Sequence, residues 1–383
     1  MSAAASSRRP RVRIGVVGCG LIAQVMHFPY LRELADRFEV RALCDLSPHV
    51  LGFAGELFPG ARLFAEWEAL LAEPLDALMV LTPGSHAPVA TAAAEAGLHV
   101  FVEKPMCFTV DEGREMIEAA EKGGVRLMVG YMKRYDPAYE RLLEMLAPED
   151  VRLARVTTLE SPLALHVAHY PLRRADDVPR PVLAALAADD ERRVASATGT
   201  DDPVVRRAYR EILLDSMVHE LNAVRGLLGE PTELHCARIW GEPTGVSATL
   251  SFGGTHAVLM WVDLPGIARY EGELAFFAPA ARLALRFPSP FLRSMPTELV
   301  HEGGEPGTPT AWRTVETVSY EEAFKRELIE LHACIAEDRA PRTAGEDGLR
   351  DVALCQSLVR SVLDGRPITF PAAPEQHESR TLH

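Results

Sequence analysis

The sequence holds no apolar run approaching the ~20 residues that cross a bilayer, so a membrane partner is not expected. It has no excess of basic residues either: 40 Lys and Arg stand against 54 Asp and Glu, giving a formal charge of −14. Binding nucleic-acid phosphates needs a basic face, which excludes nucleic acid as the expected main partner. The six cysteines (Cys19, Cys44, Cys107, Cys236, Cys334 and Cys355) lack the paired spacings of a zinc site or a disulfide framework. They read as reduced, mostly buried thiols of a cytoplasmic protein. His166 and His169 have no third ligand nearby in the sequence, so no metal is expected.

What is present is the composition of a globular protein, 48% hydrophobic and 25% charged. At 383 residues the chain exceeds one ordinary core and implies two domains. Residues 1–10 and 372–383 read as flexible tails. Arg8-Arg9 ahead of an apolar run has the look of a twin-arginine export signal. That run, however, contains Gly18 and Gly20 in the pattern of a strand and its phosphate turn, and no small-residue cleavage site follows.

From residue 11 to 131, short apolar runs alternate with helical stretches. Val12–Val17, Val40–Cys44, Ala77–Leu81, His99–Val102 and Arg126–Gly130 read as strands. Ala23–Arg37, Val89–Ala96 and Val110–Lys122 read as helices between them. Continuous β-branched strands between helices predict a doubly wound parallel sheet, the α/β Rossmann architecture. Residues 132–371 read as an α+β domain. It has a strand at Val151–Leu159, a long helix at Tyr209–Leu228, and runs between Glu233 and Phe287 that suit an open, mainly antiparallel sheet. Two closing helices are expected within 320–363, packing back toward the first domain. The arginine- and acid-rich stretch 164–210, between the strand Val151–Leu159 and the long helix, reads as a substrate lid, an oligomer arm or a surface excursion. The last is favoured because charge runs are usually solvated.

Gly18-x-Gly20-x-x-Ala23 follows a strand and opens a helix, where a dinucleotide fingerprint must sit. Gly18 permits the tight turn, Gly20 admits the pyrophosphate, and Ala23 allows close helix–strand packing. The helix start at Leu21 and Ile22 presents free N–H groups to the phosphates. Asp45, closing the second strand, suits a ribose 2′-hydroxyl and repels a 2′-phosphate. No arginine occupies 46–50, so NAD is favoured with NADP possible; a glycine turn without ligand is the bland alternative. Asp215 and His219, at i and i+4, would share a helix face and make a carboxylate-supported imidazole. Taken alone, that spacing is more often a surface pair, and Lys104 alone is more often a surface lysine.

Thr82-Pro83, His86, Glu103-Lys104-Pro105 and Val129-Gly130-Tyr131-Met132-Lys133-Arg134-Tyr135-Asp136, taken with these features, resemble the glucose–fructose oxidoreductase/inositol dehydrogenase/rhizopine catabolism (Gfo/Idh/MocA) family. The last stretch is most similar to inositol 2-dehydrogenase members, with Lys133 where they commonly carry arginine. The resemblance runs from about Arg11 to Pro371. It implies an NAD(P)-dependent oxidoreductase of a sugar or cyclic polyol, in a homodimer or homotetramer. It further implies cofactor contacts at Thr82, Pro83, His86, Glu103 and Lys104. Tyr131, Lys133, His166, His219 and Asn222 become candidates for substrate hydroxyls, while His27 is left as structural. The implied chemistry has His219 as acid/base, Asp215 supporting it, and Lys104 polarising the reacting oxygen. A transient 3-keto-sugar enzyme with recycled NAD, or a non-catalytic dinucleotide-binding regulator, would fit the same fold.

Lys104→Ala and His219→Ala are each expected to lower turnover by roughly 10²–10⁴-fold while dinucleotide affinity stays near that of the unaltered chain. Steady-state kinetics beside a dinucleotide titration checks this, and an unchanged kcat in either variant removes the mechanism.

Overall fold

The computed structural model describes residues 11–371; the expected tails at 1–10 and 372–383 lie outside them. The first sheet comprises β1 (Val12–Val17), β2 (Phe38–Cys44), β3 (Arg62–Phe64), β4 (Ala77–Val80), β5 (His99–Glu103) and β6 (Leu127–Gly130). Its order is β3-β2-β1-β4-β5-β6, and every pairing is parallel. β4 is buried along its whole length, as a strand covered on both faces must be. The order reverses between β1 and β4. A doubly wound sheet opens its ligand crevice there, outside the carboxyl ends of the strands.

The second sheet comprises β7 (Leu153–Glu160), β8 (Glu233–Trp240), β9 (Gly245–Phe252), β10 (Thr255–Asp263), β11 (Glu271–Phe277), β12 (Ala281–Phe287), β13 (Glu298–Gly304), β14 (Ala311–Thr317) and β15 (Ile368–Thr369). Its order is β14-β13-β12-β11-β7-β10-β9-β8-β15. β7 pairs in parallel with β10 and antiparallel with β11, so the sheet is mixed but mainly antiparallel. One face is covered and the other open. Along β10, Thr255, Ala257, Leu259 and Trp261 turn inward, while His256, Val258 and Met260 are exposed.

The end of the chain returns to the first sheet. Phe324, Leu328 and Leu331, on helix Ala323–Ala336, share an apolar cluster with Ile14, Val16 and Met26. Just beyond, Thr343 receives Val129 N–H at 2.8 Å and donates its hydroxyl to Val129 O at 2.7 Å, which ties the chain to β6. The helix Gly345–Asp364 then lies beside Val110–Gly123, where Gly113 leaves room for Leu349.

The stretch 164–210 is exposed over most of its length, as a surface excursion would be, yet it is tied to the first domain. It contains a 19-residue helix, Arg180–Thr198, and several of its side chains bond to the first domain. Arg193 pairs with Glu112, the residue that completes the capping box at Thr109. The charges that suggested solvation are partly used in holding this stretch down.

Gly18 has φ +94°, and a Cβ there would lie 2.7 Å from Leu81 C and Thr82 N, whereas a Cβ on Gly20 meets nothing within 4 Å. Gly18→Ala is therefore expected to destabilise the fold by about 1–3 kcal/mol. Gly20→Ala should leave stability within about 0.5 kcal/mol and weaken dinucleotide binding instead. Urea unfolding of both variants beside dinucleotide titrations checks the contrast; equal stability losses would refute it.

Candidate active site

The crevice begins at the glycine turn. Gly18 N–H bonds to Cys44 O at 2.9 Å, setting the turn against the end of β2. Asp45 accepts from Cys19 N–H and from Ser47 N–H, each at 2.8 Å, so its carboxylate already organises both loops. The first helical bond runs from Gln24 N to Gly20 O at 3.0 Å. The N–H groups of Leu21, Ile22 and Ala23 precede that bond and are free of helical partners. Ala23 is fully buried against the sheet. Open space above Gly20, bare N–H groups behind it and a carboxylate at the end of β2 fit a dinucleotide. Thr82 and Pro83 border the same opening and are partly exposed.

The loop after β5 is held from below. The Glu103 carboxylate bonds His27 Nε2 at 2.7 Å and accepts Lys104 N–H at 3.1 Å. Both His86 ring nitrogens lie 2.8 Å from main-chain carbonyls, those of Pro105 and Thr82. Buried Glu103 and His86 thus position the lysine loop through their side chains. His27 is structural.

Lys104 reaches across to the second domain. Its Nζ donates to Asp215 O at 2.6 Å and to Asp215 Oδ1 at 2.7 Å. Burial alone would lower the ammonium's pKa, but Asp215, with help from Glu103 and Glu160, raises it above the ordinary 10.5. This overturns the expected Asp215–His219 pair. The helix is wide from Ala208 to Met217, with i→i+5 bonding, so residues four apart there do not stack as in an α-helix. The carboxylate supports the lysine.

His219 sits at the start of the regular helix Val218–Leu228, its Nδ1 buried without a partner. The Tyr131 ring stands edge-on to it at 6.4 Å, and the Tyr131 hydroxyl is likewise buried and unpartnered. Burial, with the cations of Lys104 and Lys133, holds the His219 pKa well below 6.5. The imidazole is neutral near physiological pH. Lys133 is buried, ion-paired to Glu220, with its Nζ 4.7 Å from the Phe287 ring centroid.

Three residues of this cluster escaped the sequence reading. Glu160 ends β7 and accepts from Ser216 Oγ at 3.2 Å; burial raises its pKa. Glu220 has one carboxylate oxygen on Lys133 and the other buried and unpartnered. Tyr270 feels both carboxylates, and burial with their charge lifts its pKa well above 10. Glu220 had a signal in its place next to His219. Glu160 and Tyr270 had none, because sequence-distant strands bring them in.

One expected substrate residue, Asn222, faces away from this cluster. Asn222 is fully buried and donates to Asp347 and Asp351, each at 2.7 Å, so its amide has no hydrogen for a ligand. The reason is the Asp347/Asp351 pair on the closing helix, which takes both amide hydrogens. His166 bonds Ser161 Oγ at 2.7 Å and is nearly buried. Among the described residues, no group of three or more His, Cys, Asp or Glu is placed to hold a metal ion. Nor is any described helix long and apolar enough to cross a membrane.

Residues 12–131 match the family profile described as "Oxidoreductase family, NAD-binding Rossmann fold". The first domain is thus that of the Gfo/Idh/MocA oxidoreductases. Similar proteins include the D-apiose dehydrogenase of Paraburkholderia graminis, 27% identical over 94% of this chain and 89% of that one. The inositol 2-dehydrogenase of Paracoccus denitrificans is 35% identical, over 45% of this chain and 47% of its own; the match thus spans about half of that relative. Among solved structures, the WlbA dehydrogenase of Bordetella pertussis, in complex with NADH and UDP-GlcNAcA, superposes with a TM-score of 0.70. It shares 22% identity, with 95% of this chain and 99% of that one covered. At that identity the likeness shows the Gfo/Idh/MocA fold alone.

Asp215→Asn is expected to leave the buried Lys104 ammonium poorly compensated and lower its pKa. The alkaline limb of the pH–rate profile should then move down, with a loss of up to about 10²-fold in kcat/KM from misplacing the charge. Movement of the acid limb, with the alkaline limb unmoved, would instead restore Asp215 to His219.

Proposed function

We propose that this chain is an NAD(P)-dependent dehydrogenase acting on a secondary alcohol of a sugar or cyclic polyol. The observation that carries the reading is the protonation split at the domain seam. A lysine kept charged and a histidine kept neutral stand at one cleft, beside the carboxyl end of a dinucleotide-binding sheet. Groups whose environments push their pKa values apart mark an acid–base assignment.

Lys104 has three N–H donors, and two are committed to Asp215. The third is free to hold the substrate oxygen and to favour the negative charge that develops there. His219 is already neutral and accepts the hydroxyl proton. Its Nδ1 is buried without a partner while the residue as a whole is only half-buried, so Nε2 is the nitrogen offered to the cleft. The nicotinamide, when bound, supplies the two-electron hydride acceptor. For ketone reduction the roles reverse: Lys104 polarises the carbonyl and His219 returns the proton. Asp215 fixes the direction of Lys104, and the Tyr131 ring packs edge-on against His219.

Substrate selection for hydroxyl-rich molecules is supported by an unpartnered polar atom of this cluster. Glu220 Oε2 is buried without a partner and loses about 1–3 kcal/mol of hydration unless a ligand hydroxyl or an ordered water meets it. The sugar and polyol dehydrogenases among the relatives point to the same substrate class.

The test is NADH formation with a panel of inositols and sugars, using NAD and NADP in parallel. A lasting keto product supports the reading, and cleaved glycoside without net NADH would transfer it to transient oxidation. Dinucleotide binding with no turnover on any member would favour the regulator. For an active substrate, the acid limb of kcat/KM is expected below pH 6.5, because the neutral form of His219 is the active base. Lys133→Met should move that limb upward. An acid limb above 6.5 in the unaltered chain contradicts the assignment.

A further inference from the structure

The segment from Arg173 to Arg193 spans the outer side of the dinucleotide crevice. At Arg173 its backbone exchanges hydrogen bonds with the Gln24 amide, just past the glycine turn, at 2.9 Å and 3.0 Å. Four residues on, Asp177 accepts the Ser47 hydroxyl and, at 2.9 Å, the His49 N–H. Further along, the Asp190 carboxylate fills the space beside Gly84, on the loop after β4. Arg193 then pairs with Glu112, which also accepts Ser85 Oγ at 2.7 Å. The segment therefore joins the loop after β2 to the loop after β4.

Ser47 sits between two carboxylates. Its N–H donates to Asp45, and its hydroxyl donates to Asp177. Two carboxylates from distant parts of the chain are thereby linked through one residue, at the N-terminus of helix Pro48–Leu57. In doubly wound dinucleotide sites the acidic residue closing the second strand takes the ribose 2′-hydroxyl, whereas a 2′-phosphate needs a nearby cation. Here the position beside Asp45 carries a second anion. Asp177 also occupies the Ser47 and His49 donors that a phosphate at this helix end would use. Those two hydrogen bonds hold its pKa below the ordinary carboxylate value. Arg173, at the start of the strap, has its guanidinium 5.2 Å from the Phe53 ring centroid.

We propose that Asp177, delivered by the strap 173–193, is a specificity residue that acts with Asp45 to exclude a 2′-phosphate and select NAD over NADP. The inference rests on the dinucleotide reading of the Gly18–Ala23 turn. It assigns the extra stretch of this chain to the adenosine end of the cofactor, away from the substrate.

Isothermal titration of the full chain with NAD+ and with NADP+, in the absence of any substrate, tests it. The unaltered chain is expected to bind NAD+ more tightly. Asp177→Asn, which keeps an acceptor for the Ser47 hydroxyl, should tighten NADP+ by about fivefold, the scale of an exposed charge pair, and leave NAD+ within about twofold. Asp177→Ala should act in the same direction, and the gain should shrink as salt is raised. An unchanged NADP+ affinity in both variants overturns the role of Asp177, as does tighter NADP+ binding by the unaltered chain. Binding of neither dinucleotide overturns both this inference and the cofactor reading beneath it.

Discussion

The Lys104 ammonium leaves the end of one sheet and finds its counter-ion, Asp215, on a helix that belongs with the other. With only 19% of its side chain exposed, an unpaired cation there would carry a desolvation cost of several kcal/mol. The relative placement of the two sheets is therefore also the placement of that charge. Its consequences spread through the cleft. The same cation that Asp215 keeps protonated adds to the burial that keeps His219 neutral. One ion pair across the seam thus helps set two protonation states of opposite kind, which is what a proton-and-hydride reaction needs at constant pH.

Around this pair the protein spends its buried polar groups on rigidity. Glu103 and His86 hold the lysine loop from beneath through main-chain and imidazole bonds. Arg225, Asp347, Asp351 and Asn222 form a buried network that locks the histidine-bearing helix to the closing helix. Losing any one member would leave a buried charge or donor unsatisfied. That network ties the closing helix to the support of a site whose residues come much earlier in the sequence.

Legibility in the sequence follows local physics. Parallel strands declared themselves as short β-branched runs, and the glycine turn as two residues placed between a strand and a helix. The helix Arg180–Thr198 was missed because it has no apolar stripe; only Val194 and Thr198 are buried along it. β14 was missed for a related reason, since every residue on that edge strand is exposed and no alternation marks it. The Asp215–His219 pairing failed because it assumed 3.6 residues per turn in a stretch that is wound more widely.

Fold class and the glycine turn between a strand and a helix were readable from residue order, because each depends on neighbours within a few positions. Which carboxylate serves which base was not, nor was the place of Glu160, Tyr270 and Asp177. Those contacts join residues dozens to more than a hundred positions apart. Their partners are selected by burial and by the need to satisfy charge in a shared low-dielectric space, and no local pattern encodes that choice.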